Sequence, residues 1–324
     1  MALCIKELHL TLFISPCFYM NHSPISDQWK RRDFVTTLAT IVGGTSLLLM
    51  PGSSMATGTR KRDYTVNEII DTILKDIPGA PFKQTVDTLK TGDGHQKVSG
   101  IVTTMFATDA VIKKTIAAGA NFIIAHEPTF YSHTDETVWL QNDEVYQYKK
   151  KLLDEHGIAV WRFHDYWHAA KPDGILMGVL IALGWEKYYN TDHPTLINYP
   201  ATSVKDIVAL VKTKLGIDTV RVIGNANQMC SRIALLPGAW GGKMQITTLQ
   251  QQRPDLIMVG ELSEWELAEY IRDAEHMGLN TSLIVLGHAV SEEPGMQYLV
   301  QWLQPKIPGV KITHIPSGNP FSFM

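Results

Sequence analysis

The chain of 324 residues predicts an α/β protein of two similar, mostly parallel βαβ halves. Three observations carry that expectation. Short runs that are apolar after their first residue, such as Asn121–Ala125 and Ser282–Leu286, read as strands buried on both faces. Stretches with helical spacing alternate with those runs. The alternation occurs once on each side of the stretch Tyr188–Pro200.

In chain order, Val66–Ile77 has apolar residues at helical spacing (Val66, Ile69, Ile70, Ile73, Leu74) and stops at Pro78-Gly79. Val98–Thr104 is β-rich and predicts a strand, and Ala110–Ala118 predicts a helix closed by Gly119. Asn121–Ala125 is a strand, Val138–Glu155 a helix ended by His156-Gly157, and Ile158–Phe163 another strand. Strand, helix, strand, helix and strand within about 65 residues mark a parallel sheet covered on both faces. A helix over Ile175–Leu183 stops at Gly184. In the second half, helices are expected over Val204–Leu215, Trp265–Met277 and Met296–Leu303. Strands are expected over Thr219–Ile223, Ser231–Leu236, Leu256–Val259, Ser282–Leu286 and Lys311–His314. The expected segments are a leader over 1–56, a first half over 63–190 and a second over 191–324, the two halves forming one domain.

Composition narrows the function. Hydrophobic residues make up 45% and charged residues 19%, so the chain is globular rather than disordered. The net charge of −3, without a Lys/Arg block in the body of the chain, argues against a nucleic-acid face. Three cysteines cannot build a disulfide framework.

The amino-terminal segment reads as an address. Lys30-Arg31-Arg32-Asp33-Phe34-Val35 is followed by a weakly apolar run, Val35–Met50, and by the small-residue stretch Pro51–Ala56. This order resembles a twin-arginine signal peptide cut after Ala56. The run is short and polar for a membrane span, so no stable span is expected after cleavage, and the expected location is the periplasm or another extracytoplasmic space. Met20, which leaves a short lead-in to the arginines, is the expected start, so 1–19 read as a mis-assigned extension.

Polar residues just past strand ends are the default ligand positions in an open parallel sheet. His126-Glu127-Pro128 follows the strand Asn121–Ala125, and the proline fixes the turn. His164-Asp165-Tyr166-Trp167-His168 follows Ile158–Phe163, with its histidines one helical turn apart. Gly287-His288-Ala289-Val290-Ser291-Glu292 follows Ser282–Leu286, with His288 and Glu292 at the same spacing. Each position alone also has a plainer reading. These are a hydrogen-bonded histidine beside a solvated glutamate, histidines flanking core aromatics, and a helix start with dipole-compensating carboxylates. Jointly, four imidazoles and at least two carboxylates exceed the needs of one four-coordinate ion. They suit two divalent cations, Zn, Mn, Fe or Co, about 3.5–4 Å apart.

These motifs resemble the Nif-three-like (NGG-interacting factor three) dinuclear metal-centre family, also called GTP cyclohydrolase I type 2. Ile101-Val102-Thr103-Thr104 through Ala118-Gly119-Ala120-Asn121 to His126-Glu127-Pro128-Thr129-Phe130 is similar to the family's strand–helix–strand ending in His-His-Pro-x-Phe. Gly287-His288, Ser291-Glu292 and Pro294-Gly295 are similar to its carboxy-terminal motif. Arg232-Ile233-Ala234 with Pro237–Gly241, and Gly260-Glu261-Leu262-Ser263, match it more weakly. The resemblance spans about Asp63 to Phe321. It implies metals in the cleft between two α/β halves, a toroidal homo-hexamer, and His126, Glu127, His168, His288 and Glu292 as ligands, Glu292 bridging. Two departures oppose each other: Glu127 stands where the family has His, and His168 where it has Asp. Glu264-Trp265 replaces a frequent His-His, and Thr91-Gly92-Asp93-Gly94 stands near a missing Asp-Asn motif.

The expected function is a metal-dependent hydrolase, cyclohydrolase- or phosphoesterase-like, acting on a small molecule. His164, Asp165 and Glu261 are the candidates for moving protons or orienting ligands. The alternative is a metal-stabilised hexameric binding or scaffold protein without turnover.

Overall fold

The computed structural model describes residues 63–322 and 324, so the expected leader lies outside the described residues. The strands are β1 (Leu89–Thr91), β2 (Ile101–Thr104), β3 (Phe122–Ala125), β4 (Ala159–Arg162), β5 (Leu196–Ser203), β6 (Arg221–Ile223), β7 (Met229–Leu236), β8 (Leu256–Val259), β9 (Ser282–Val285) and β10 (Ile312–His314). The helices are α1 (Val66–Leu74), α2 (Asp109–Ala117), α3 (Glu144–Glu155), α4 (Asp165–Ala169), α5 (Gly174–Leu183), α6 (Val204–Leu215), α7 (Gly242–Gln252), α8 (Glu269–His276) and α9 (His288–Leu303).

Two five-stranded sheets result, in the orders β1-β4-β3-β2-β10 and β5-β7-β8-β9-β6. Each has a parallel centre with at least one antiparallel edge: β1 runs against β4, β5 against β7 and β6 against β9. The apolar runs behave as their composition demands, and every residue of β2, β3, β4, β8 and β9 is buried. Alternate side chains feed opposite layers. Phe122, Ile124 and Trp161 enter one core of the first sheet, while Ile123, Ala125 and Val160 enter the other.

Register sets the level of the strand ends. Thr104, Ala125 and Arg162 are aligned across β2, β3 and β4, and Leu236, Val259 and Val285 across β7, β8 and β9. Residues that follow these positions therefore emerge together at the carboxyl edges of the two sheets.

Local features depart from the sequence expectation for physical reasons. The helix expected over Val138–Glu155 is a single 3₁₀ turn, Val138–Leu140, followed by α3, because the Asp143 carboxylate caps a new start at the Tyr146 N–H. Helix α9 begins at His288 rather than Met296 and runs through Pro294, so tertiary packing overrides the Pro-Gly stop signal. The expected helix over Trp265–Met277 opens with a π-helical turn, Glu264–Ala268. Strands β1 and β5 and helix α7 have no clear signature in the sequence. The stretch 188–200 ends inside β5, and β10 returns to pair with β2 of the first sheet.

Helices α5 and α9 join the halves. Helix α5 (GILMGVLIAL) is apolar all round, and seven of its ten residues are buried. Its Ile175 enters a core of the first sheet, and Leu176, Val179, Leu180 and Leu183 enter one of the second. Its backbone touches that of α9: a Cβ on Gly178 would lie 2.3 Å from Gly295 Cα. Gly178→Ala therefore separates two effects of opposite sign. Helix propensity alone favours alanine by about 1 kcal/mol, whereas the contact predicts a net loss of about 1–3 kcal/mol. Chemical denaturation decides between them, and a stabilised variant contradicts the close approach.

Candidate metal centre

His126 follows β3 and is completely buried. Its Nδ1 lies 3.1 Å from the Phe163 carbonyl at the end of β4. Nε2 is left without a hydrogen-bond partner, 3.6 Å from Glu292 Oε2. Burial, and then the nearby His168 and His164, push this imidazole well below its ordinary pKa, so it stays neutral and a potential donor to a cation.

His168 lies on the short helix α4 and His164 immediately precedes it as its N-cap, with the His168 N–H donating to the His164 carbonyl. His164 Nδ1 pairs with Asp165 Oδ1 at 2.9 Å, and His168 Nδ1 with Asp173 Oδ2 at 2.9 Å. Asp165 is itself held by the Thr85 hydroxyl and the Val86 N–H. Asp173 also caps α5, accepting from the Ile175 and Leu176 N–H groups. Burial opposes a charge on His168, but Asp173 raises its pKa overall. The start of α4 is pinned by Asp87, which accepts from the backbone N–H groups of His164, Asp165 and Tyr166.

His288 opens α9. Its Nδ1 lies 3.2 Å from Glu261 Oε2, while Nε2 lies 3.1 Å from Glu292 Oε2 and 3.3 Å from Glu127 Oε1. Burial depresses its pKa, but the two carboxylates outweigh burial and hold it up at about 10. Each of the four histidines thus has Nδ1 engaged by an oxygen acceptor, and Nε2 of His126, His164 and His288 lies against Glu127 or Glu292, the arrangement that fixes a ring as a metal ligand.

The carboxylates are placed with equal economy. Glu127 Oε2 accepts from Arg162, a fully buried residue of β4, at 3.2 Å. Its Oε1 faces His288 and lies 3.7 Å from His164 Nε2. Burial raises the Glu127 pKa, yet hydrogen bonding to His288 and the charges of His164 and Arg162 bring it below the ordinary value. Glu292 reaches between His126 and His288. It lies over Gly238, where a Cβ would fall 1.9 Å from Glu292 Oε1. Neighbouring Glu293 points elsewhere and accepts from the Met105 N–H and from the Ser317 N–H and hydroxyl, tying α9 to the end of β2 and to the carboxy-terminal segment. Ser291 accepts from the Gly238 N–H and donates to the His288 carbonyl.

Among the described residues, two groups of side chains can hold a cation. The ligand atoms of His126, His164 and His168 lie within 4.8 Å of one another, as do those of His126, Glu127 and Glu292. The orphaned, buried Nε2 of His126 belongs to both, and the donor set of imidazoles and carboxylates fits a borderline divalent metal. The structure brings together His126, Glu127, His164, His168, His288 and Glu292, and sets Asp165 and Glu261 one hydrogen bond behind them. Asp87, Arg162, Asp173 and the Phe163 carbonyl complete the support. Of these, only Asp173 has a local signal, as the cap of a helix following Pro172. The site opens into a cleft of about 1220 Å³ whose walls include Phe106, Tyr131 and Trp240.

A cluster of imidazoles and carboxylates able to hold a metal ion, at the carboxyl ends of two α/β sheets, defines a class of protein, and comparison supplies the family. The chain belongs to the Duf34/NIF3 (NGG1p interacting factor 3) family, whose model matches residues 64–320. It is 25% identical over 241 residues to a GTP cyclohydrolase 1 type 2 homolog of Clostridium perfringens, covering 71% of this chain and 87% of that protein. It is 24% identical over 241 residues to the homolog of Chlamydia trachomatis, covering 72% and 90%. The fold is similar to that of a hypothetical protein of Staphylococcus aureus (TM-score 0.66, 20% identity, 80% of this chain and 99% of that one). It is also similar to a Bacillus cereus protein related to NIF3 (TM-score 0.65, 16% identity, 81% and 100%).

Because Glu261 is half-exposed and touches the centre only through His288, its replacement tests orientation rather than folding. Glu261→Ala is expected to weaken zinc affinity about tenfold with an unchanged circular dichroism spectrum. Unchanged affinity in a competition titration contradicts the role.

Proposed function

We propose that the chain is a hydrolase that uses two divalent cations. His126, His164 and His168 would hold one ion, and His288 the other. Glu127 and Glu292 would span the pair, since each lies between His288 and a histidine of the first group. When bound, such a pair supplies Lewis acidity and activates water at neutral pH. The observation that supports this reading best is that all four rings have Nδ1 occupied, while Nε2 of His126, His164 and His288 lies against Glu127 or Glu292.

The residues around that core have separable duties. Asp165, Asp173 and Glu261 hold the rings and their tautomers. Glu261 is the most exposed of the three and is the one suited to exchange protons with solvent. Arg162 fixes one oxygen of Glu127 and leaves the other to face the centre. The Arg31-Arg32 pattern and the small-residue stretch ending at Ala56 support export. An exported enzyme would meet little free nucleoside triphosphate, which favours a phosphoester or cyclic substrate other than GTP. The hexamer implied by the family resemblance belongs to the same reading.

Protein loaded with zinc, manganese, iron or cobalt is expected to hydrolyse members of a panel of aryl phosphoesters and cyclic esters. His288→Ala is expected to lower that rate by at least about 100-fold while the fold persists. Metal-loaded protein that turns over no member of the panel would instead favour a metal-stabilised scaffold.

A further inference from the structure

The wall of the cleft contains a buried cation that the metal centre does not use. Lys149 lies on α3 and is only 6% exposed, whereas its neighbours, half-buried Lys150 and exposed Lys151, are paired with Asp154 and Glu155. The Lys149 ammonium donates to the Thr129 carbonyl at 2.6 Å, two residues beyond Glu127. It also lies 5.1 Å from the centroid of the Tyr131 ring and 5.9 Å from that of Phe130. Among the described residues no carboxylate stands within ion-pair distance of it. The two acids whose charge reaches it are already matched: Asp135 with Lys90 at 3.2 Å, and Asp109 with Lys113 at 2.9 Å.

A buried charge without a counter-ion is costly, and an anionic ligand is one way to balance it. Burial brings the Lys149 pKa down to about 8, with Asp135 and Asp109 resisting, so the amine still carries its proton for most of the time at neutral pH. Lys149 lines the same cleft as Glu127, His164, His168 and His288. Tyr131, beside it, is held at φ 61°, a left-handed conformation unfavourable for a bulky side chain. Strain of this kind collects where a side chain is positioned for function.

We propose that Lys149 forms a subsite for an oxyanion, a carboxylate or a phosphate, carried by the substrate at a distance from its reacting group. The assignment rests on the hydrolase reading, because it takes this cleft as the substrate's. Phe106, Tyr131 and Trp240 offer apolar surface to the body of the same molecule.

The experiment titrates the full chain by calorimetry with phenylphosphonate, which resists hydrolysis, and with benzoate. It uses zinc-loaded and chelator-treated protein of the wild type, Lys149→Met and Lys149→Arg. The expected result is affinity that falls about tenfold or more in Lys149→Met, is largely kept in Lys149→Arg, and survives chelation. The tighter of the two probes tells phosphate from carboxylate. Equal affinity in Lys149→Met and wild type overturns the proposal, as does binding that disappears with the metal and ignores residue 149; both leave the hydrolase reading standing. Lys149-dependent binding in a protein without metal-dependent turnover supports the subsite and counts against the hydrolase reading alone. A readout on the wild type covers misfolding of the variants: bound phenylphosphonate should shield Lys149 from trinitrobenzenesulfonate, read from the modified peptide by mass spectrometry. Labelling that proceeds unchanged overturns the subsite.

Discussion

Four imidazoles with one ring nitrogen fixed are the constraint on which the rest of the centre depends. A histidine free to rotate offers either nitrogen in many directions. Here a backbone carbonyl holds His126, and carboxylates hold His164, His168 and His288. The fold supplies those acceptors from separate elements: the end of β4, the start of α4, the cap of α5 and the turn after β8. Local structure and chemistry are therefore coupled. Asp173 illustrates this, since one carboxylate both starts α5 and orients His168.

Charge balance follows from the same arrangement. Glu127 and Glu292 are buried side by side, which is unfavourable unless positive charge lies between or behind them. Arg162 stands behind Glu127, and His288 stands between the two. A proton on His288 and a divalent cation are alternative ways of meeting that demand. Glu127 comes with a buried arginine, and His168 comes with Asp173, so each of these side chains has a partner of opposite sign.

Much of this was legible in the sequence because strongly apolar runs announce their own ends. Phe122–Ala125 and Ser282–Val285 are buried throughout, and His126 and His288 stand just beyond them. The spacing of His164 and His168 alone sets them one helical turn apart, and the structure has His164 as the N-cap of α4. The supporting residues were less visible because their partners are distant along the chain: Asp87 acts on α4, nearly eighty residues later, and Arg162 acts on Glu127 through register across β3 and β4. Strand β5 has no clear sequence signature because its exposed edge alternates poorly, and Pro294-Gly295 reads as a stop although α9 runs through it. In the fold that glycine is where α5 and α9 touch.

The most direct test of the central claim is anomalous diffraction from crystals of zinc- or manganese-loaded protein. The expected result is an ion bound by the Nε2 atoms of His126, His164 and His168 at about 2.0–2.3 Å, with density for a second ion beside His288. An ion bound through any Nδ1, or metal found only away from these side chains, would contradict it.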